Sequence, residues 1–183
     1  MVVEDGQANY VTIISGSARP DGNTASPAKH LKLKLGPSAR ICDLSQLTVE
    51  PFKYDCHDDR DDFRFIVAMV LESEHIVFAS PVYWYSMSAP LKAFFDRLTD
   101  LLHDPTDRLS GRALVGRNVW LMATGTDNSL PVGFYVPFAR TAEYFAMVWR
   151  GAFYSRSLQG TSRKEPELAE TDRLAHLIAA DDA

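Results

Sequence analysis

Two short stretches carry side chains whose types and spacing could act together on one ligand. The first is Gly16-Ser-Ala-Arg-Pro-Asp-Gly-Asn-Thr24, between a β-branched run and a helical pattern. At such a strand-to-helix turn, backbone N–H groups and the positive end of the helix converge, so an anion would be held there. Ser17 and Thr24 bring hydroxyls to the turn at Gly22, Asn23 brings an amide, and Arg19 brings a permanent charge suited to phosphate. An ordinary Gly/Asn turn with a Ser/Thr cap has the same composition. The nucleotide loop G-x-x-x-x-G-K-[ST] does not fit, because five residues separate Gly16 from Gly22 and Asn23 stands where Lys is needed. The dinucleotide fingerprint G-x-G-x-x-G is absent, and only Asp43 is placed as a ribose-binding acid would be.

The second stretch is Ser80-Pro-Val-Tyr-Trp-Tyr-Ser-Met87. Pro81 and Val82 stiffen it, Tyr83, Trp84 and Tyr85 offer flat faces to a planar ring, and Ser86 offers a hydroxyl. The same rings could instead fill core or a subunit interface. Taken together, the two stretches suit one ligand with a phosphate at one end and a large planar ring at the other.

The elements that must position these loops follow from periodicity. Residues 10–15 read as a buried strand, 24–35 as a helix with Pro27 in its first turn, and 39–44 as a brief second strand. A polar connection leads to Asp58, Asp59, Asp61 and Asp62, which open a second helix where its dipole favours negative charge. Residues 75–79 form a third buried strand and 80–87 a loop. A helix then runs through Leu101 with Ser88 as N-cap. A strand over 118–124, a helix over 137–146, a strand over 147–154 and a helix over 167–180 complete the order. Alternating strands and helices without hairpin signals imply right-handed crossovers and a parallel sheet covered on both faces, so the fold class is α/β. Ligands of such sheets bind beyond the carboxyl ends of the strands, which places the site in the loops after strands one, three and four.

Composition narrows the function classes. With 183 residues, 46% of them hydrophobic and 23% charged, the chain reads as one globular domain over 1–183. A net charge of −5 without a basic block disfavours a nucleic-acid partner. The uncharged stretch 76–91 is broken by Pro81 and Pro90 and falls short of a membrane span. The first nine residues lack a signal-peptide pattern, and two distant cysteines, Cys42 and Cys56, suit a reducing compartment, so a cytoplasmic location is expected.

Gly16-Ser17-x-Arg19-x-x-Gly22-Asn23-Thr24, followed by Ser80-Pro-Val-Tyr-Trp-Tyr-Ser-Met-Ser-x-Pro-Leu-Lys-x-Phe-Phe-Asp-Arg97, resembles the flavodoxin-like NAD(P)H-dependent FMN reductases. The resemblance implies a five-stranded, doubly wound parallel sheet in order 2-1-3-4-5, with FMN at its carboxyl edge. It also implies that Ser17, Arg19, Asn23 and Thr24, with Gly22 in the same motif, bind the FMN phosphate. Pro81, Val82, Tyr83, Trp84, Tyr85 and Ser86 would line the isoalloxazine ring, and Thr124, Gly125 and Thr126 would approach it from the next loop. Some members carry an iron–sulfur cluster on a compact cysteine motif before the Asp-Asp helix. Only Cys56 stands there, which argues against a cluster needing four thiolates.

Other constellations carry less. Cys56, His57, Asp58 and Asp59 are consecutive and rarely converge on one ion, so no metal is expected. Asp96-Arg97 reads as a solvated or subunit-facing pair. The expected function is flavin-mediated oxidoreduction, in which NAD(P)H reduces bound FMN and a quinone, free flavin or similar small acceptor takes the electrons. Since the cofactor performs the chemistry, no catalytic acid, base or nucleophile is named. A flavodoxin-type electron carrier without nicotinamide turnover is the alternative, and a flavin-less scaffold is a third reading. The family resemblance further implies a homodimer or homotetramer.

Overall fold

A computed structural model describes residues 10–54, 60–103, 111–157 and 168–181. In chain order it contains β1 (Val11–Ser15), α1 (Ala25–Leu35), β2 (Ala39–Asp43), α2 (Phe63–Leu71), β3 (His75–Pro81), α3 (Ala89–Arg97) and α4 (Asp100–His103). β4 (Asn118–Gly125), α5 (Val136–Tyr144), β5 (Val148–Arg156) and α6 (Ala169–Asp181) follow. The five strands are all parallel in the order β2-β1-β3-β4-β5, the order the sequence resemblance implies.

Successive strand residues point to opposite faces, so the central strands, buried on both sides, are apolar through their middles, with polar residues such as His75, Asn118, Ser80 and Thr124 at their ends. Ile14, Ile76, Phe78, Leu121 and Ala123 meet Phe63 and Ile66 of α2, Leu91 and Phe94 of α3 and Phe138 of α5 on one face. Ile13, Val77, Ala79, Trp120 and Met122 meet Ala28 and Leu31 of α1 and Leu174 and Ile178 of α6 on the other. Asp172 of α6 binds His30 (2.8 Å) and Lys34 (3.0 Å) of α1, which joins the two helices beneath the sheet. The Cys42 thiol is buried in the first core, and burial together with the neighbouring Asp43 raises its pKa to about 11.

Register brings the carboxyl ends together: Ser15 lies beside Ala79, Pro81 beside Thr124, and Gly125 beside Arg156. Near the opposite end of β5 the register slips between Val119 and Trp120, and Gly151 takes φ 134°, a conformation that a side chain would strain. Arg150, the β5 residue left without a register partner at the slip, donates to Asn118 Oδ1 (2.8 Å) and pairs with Asp181 (2.6 Å).

The structure departs from sequence expectation in four places. β3 continues to Pro81, because Ser80 and Pro81 pair with β4 before the loop begins. The helix expected to run from Ser88 through Leu101 is divided into α3 and α4 around Leu98 and Thr99. Ser88 occupies the N-cap position, yet its hydroxyl makes no cap bond and is buried without a partner.

The fourth departure is the Asp96-Arg97 pair, which does not exist as such: Asp96 pairs with Lys92, while Arg97 is buried. Its guanidinium donates to Asp61, to Asp100 Oδ2 (2.5 Å) and to Glu50 O (3.3 Å), and sits 4.7 Å from the Phe63 ring. Asp61 and Asp62 therefore do more than complement a helix dipole. Asp62 accepts from Thr48 N (2.8 Å) and Asp61 from Glu50 N (2.9 Å) and Phe63 N (3.1 Å), which fastens the connection before α2. The sequence is silent on this because helical spacing puts Arg97 just after an apolar stripe, where a charge is ordinarily solvated.

Candidate functional site

The loop after β1 is shaped by close approaches. Gly16 N donates to Ala79 O (2.8 Å), and a Cβ on Gly16 would stand 2.8 Å from Ser88 Oγ and 2.9 Å from Leu91 Cβ, so this glycine lets α3 close on the loop. Ser17 is buried; its Oγ donates to Arg19 O (2.7 Å) and accepts from Arg19 N (3.3 Å), closing a small ring. A Cβ on Gly22 would lie 2.6 Å from that Oγ. The buried Thr24 hydroxyl meets the Thr124 hydroxyl at 2.5 Å, which ties the start of α1 to the end of β4. Two hydroxyls expected to face an anion are thus engaged in building the loop. Among the described residues, the N–H groups of Ser17, Ala18, Asn23 and Thr24 donate to no protein acceptor. Together with the exposed Arg19 guanidinium they form a donor set suited to phosphate.

The loop after β3 begins with Val82 N donating to Thr124 O (2.7 Å). Tyr83 and Ser86 then exchange two backbone hydrogen bonds of 3.0 Å, leaving Trp84 (φ 48°) and Tyr85 (φ 63°) at the tip of a tight hairpin. Two consecutive left-handed residues define a type I′ turn, normally built with Asn and Gly. Large aromatics here are strained, which is a mark of functional sites. Trp84 is 94% exposed and Tyr85 69%.

Between these loops lies a cleft of about 290 Å³ lined by Ser17, Arg19, Gly22, Asn23, Thr24, Pro81, Val82, Tyr83, Thr124, Gly125, Thr126 and Ser157. Eleven of these twelve were singled out in the sequence, and the structure gathers them at one sheet edge. Trp84, Tyr85 and Ser86 stand outside the lining, beyond the turn. Ser157 was missed; the polar run Tyr154-Ser-Arg-Ser157 closing the fifth strand was the signal that could have found it. Gly125 is gripped on both sides, since a Cβ there would stand 2.9 Å from Tyr154 Oη and 3.3 Å from Val82 Cβ.

The cleft fits FMN in chemistry: N–H donors and a guanidinium at one end, and Pro81, Val82 and Tyr83 as apolar and aromatic surface beside backbone polar groups at the other. No cluster of three His, Cys, Asp or Glu suited to a metal occurs among the described residues, and Cys56, His57, Asp58 and Asp59 lie outside them.

Comparison with known proteins agrees with this geometry. The protein YwqN of Bacillus subtilis (strain 168), named as an NAD(P)H-dependent FMN-containing oxidoreductase, is 29% identical over 124 residues, covering 64% of this chain and 67% of its own. Among solved structures, the Trp repressor binding protein from Bacillus subtilis superimposes with TM-score 0.71 at 23% identity, covering 90% of this chain and 96% of its own. A flavodoxin from the domain Archaea gives TM-score 0.56 at 16% identity, covering 94% and 97%. These two likenesses show the shared fold. Residues 10–130, which contain both loops, all of β4 and the start of the connection after it, match the family described as NADPH-dependent FMN reductase. The chain belongs to that family and is an NAD(P)H-dependent flavin oxidoreductase that uses FMN.

Proposed function

We propose that the protein passes electrons from reduced nicotinamide through FMN to a small planar acceptor, a quinone or a free flavin, at the cleft between the loops after β1, β3 and β4. The observation that carries this reading is the meeting of an anion-binding loop and a stiff aromatic loop on one parallel-sheet edge. Bound there, FMN would supply the redox chemistry, accepting hydride from the nicotinamide and delivering electrons to the acceptor. Arg19 and the N–H groups of Ser17, Asn23 and Thr24 hold the phosphate, with Gly22 leaving the space that the Ser17 hydroxyl occupies. Pro81, Val82 and Tyr83 support the ring, Thr124, Gly125 and Thr126 flank it, and the Trp84–Tyr85 tip with Ser86 borders its entrance. Because one open face serves both substrates, they bind in turn, which predicts ping-pong kinetics.

Exposed Trp84, Tyr85, Tyr135 and Tyr144 support association into a homodimer or homotetramer. A cytoplasmic site of action is supported by the free, buried Cys42 thiol, and no helix among the described residues is long and apolar enough to cross a membrane. The test is an anaerobic titration of the FMN-loaded protein with NADPH and NADH, followed by mixing with a quinone, with free flavin and with a one-electron protein acceptor. Bleaching by nicotinamide and fast reoxidation by the small acceptors are expected. Absence of bleaching by either nicotinamide, with the dithionite-reduced protein reoxidised only by the protein acceptor, would refute the reading.

A further inference from the structure

We infer that Tyr154 and Arg156 of β5 are positioning residues that turn the backbone of residues 125–128 into a hydrogen-bond donor array for the flavin ring, and so set its reduction potential. This inference rests on the FMN site proposed above. The four carbonyls from Thr124 to Asp127 are each held from outside the loop. Val82 N donates to Thr124 O (2.7 Å) on the β3 side, while Ser157 N donates to Gly125 O (2.7 Å), Arg156 Nε to Thr126 O (3.2 Å) and Tyr154 Oη to Asp127 O (2.9 Å) from β5. In a planar trans peptide the N–H points opposite to the C=O. Three consecutive carbonyls drawn towards β5 therefore direct the N–H groups of Thr126, Asp127 and Asn128 away from β5, towards the side of Val82 and Tyr83 where the cleft lies. None of these N–H groups donates to a protein acceptor among the described residues. Successive N–H groups aimed at one point favour negative charge.

Tyr154 is suited to this part. It is half-buried, and burial together with the neighbouring Asp127 carboxylate raises its pKa, so its hydroxyl keeps the proton it donates. The same Oη is the atom that forbids a side chain at Gly125, so the ring is wedged against the backbone it holds. Neither Tyr154 nor Arg156 lines the cleft, so they act through the loop without touching the ligand. Donors along a ring edge that gains electron density on reduction bind reduced flavin more tightly than oxidised flavin, which raises the potential.

The test is the two-electron midpoint potential of FMN bound to the wild-type protein, Tyr154→Phe and Arg156→Met, measured by dye-coupled spectral titration alongside FMN and riboflavin affinities. Tyr154→Phe should lower the reduced-to-oxidised affinity ratio about tenfold, a fall of about 30 mV for two electrons. The FMN-to-riboflavin affinity ratio should not change, because the phosphate end is untouched. Arg156→Met, at an exposed position that tolerates substitution, should shift the potential in the same direction and decides the question if Tyr154→Phe fails to fold. An unchanged potential in the folded variants overturns the inference, as does a fall accompanied by lost phosphate selectivity. Failure of the wild-type protein to bind FMN would overturn the proposed function, and this inference with it.

Discussion

Replacing Arg97 with methionine removes a guanidinium that two buried carboxylates, Asp61 and Asp100, share. The side chains of Arg97, Asp61 and Asp100 are 7%, 3% and 6% exposed, so neither carboxylate can turn to water when this guanidinium is lost. Breaking a buried pair from one side costs about 3–5 kcal/mol, because a desolvated charge is left behind. The placement of the guanidinium near the Phe63 ring adds a contribution on the order of 0.5–2 kcal/mol. Against a total stability of about 5–15 kcal/mol this is a large share. For a chain of this length the melting temperature should fall by roughly 6–20 °C. Urea and thermal unfolding of the wild-type protein, Arg97→Met, and Arg97→Met combined with Asp61→Asn and Asp100→Asn would measure it. The triple variant should regain part of the loss, since the stranded charges are gone. A loss below about 1 kcal/mol for Arg97→Met, the size of an exposed pair, would refute the reasoning.

Arg19→Ala should weaken FMN binding by about 1.5–3 kcal/mol, roughly 10- to 150-fold, and leave riboflavin binding nearly unchanged, as read by flavin fluorescence titration. Gly125→Ala should weaken FMN binding in the wild-type background and less so with Tyr154→Phe, because the 2.9 Å approach is to the Oη that phenylalanine lacks; equal losses in both backgrounds would show that Tyr154 does not restrict this position. Trp84→Asn with Tyr85→Gly relieves two left-handed aromatics and should stabilise the protein by about 1 kcal/mol in thermal unfolding, since Asn-Gly suits this turn. In a Cys56→Ser background, Cys42 should resist thiol reagents at neutral pH. Its pKa is raised from 9.0 to about 11, so the stabilising contribution of the protonated thiol is complete below pH 9 and is lost as pH rises towards 11. Rapid labelling at pH 7 without unfolding would contradict this.

The parallel sheet could be read in advance because runs such as residues 76–79 and 119–123 are apolar without alternation, which only a strand covered on both faces requires. The gathering of Ser17, Gly22, Asn23 and Thr24 at the cleft was legible because Gly, Asn and hydroxyl residues have local conformational reasons to sit at a strand-to-helix turn. What could not be read depends on contacts distant in sequence. Arg97 looks like a surface charge until Asp61 and Glu50 are brought to it from the connection before α2. The Thr24–Thr124 bond joins residues a hundred positions apart and redirects a hydroxyl that local reasoning assigns to a ligand. Ser157, Tyr154 and Arg156 escaped notice because the loops after strands one, three and four carry the motif, whereas β5 contributes by leaning over its neighbour.

The slip at Gly151 bears on how the molecule avoids its own copies. β5 ends the sheet, and a flat terminal strand would offer a row of unused N–H and C=O groups to any other chain with the same need. At Gly151 the pairing with β4 is offset, and a bend there disrupts the even ladder that an incoming strand would have to match. Arg150 beside the bend sets a charge on that border and is itself held by Asn118 and Asp181. Straightening this point, for example by deleting Gly151 and neutralising Arg150, would convert the border into a template for intermolecular β-pairing, with fibrous or amorphous aggregates as the visible result.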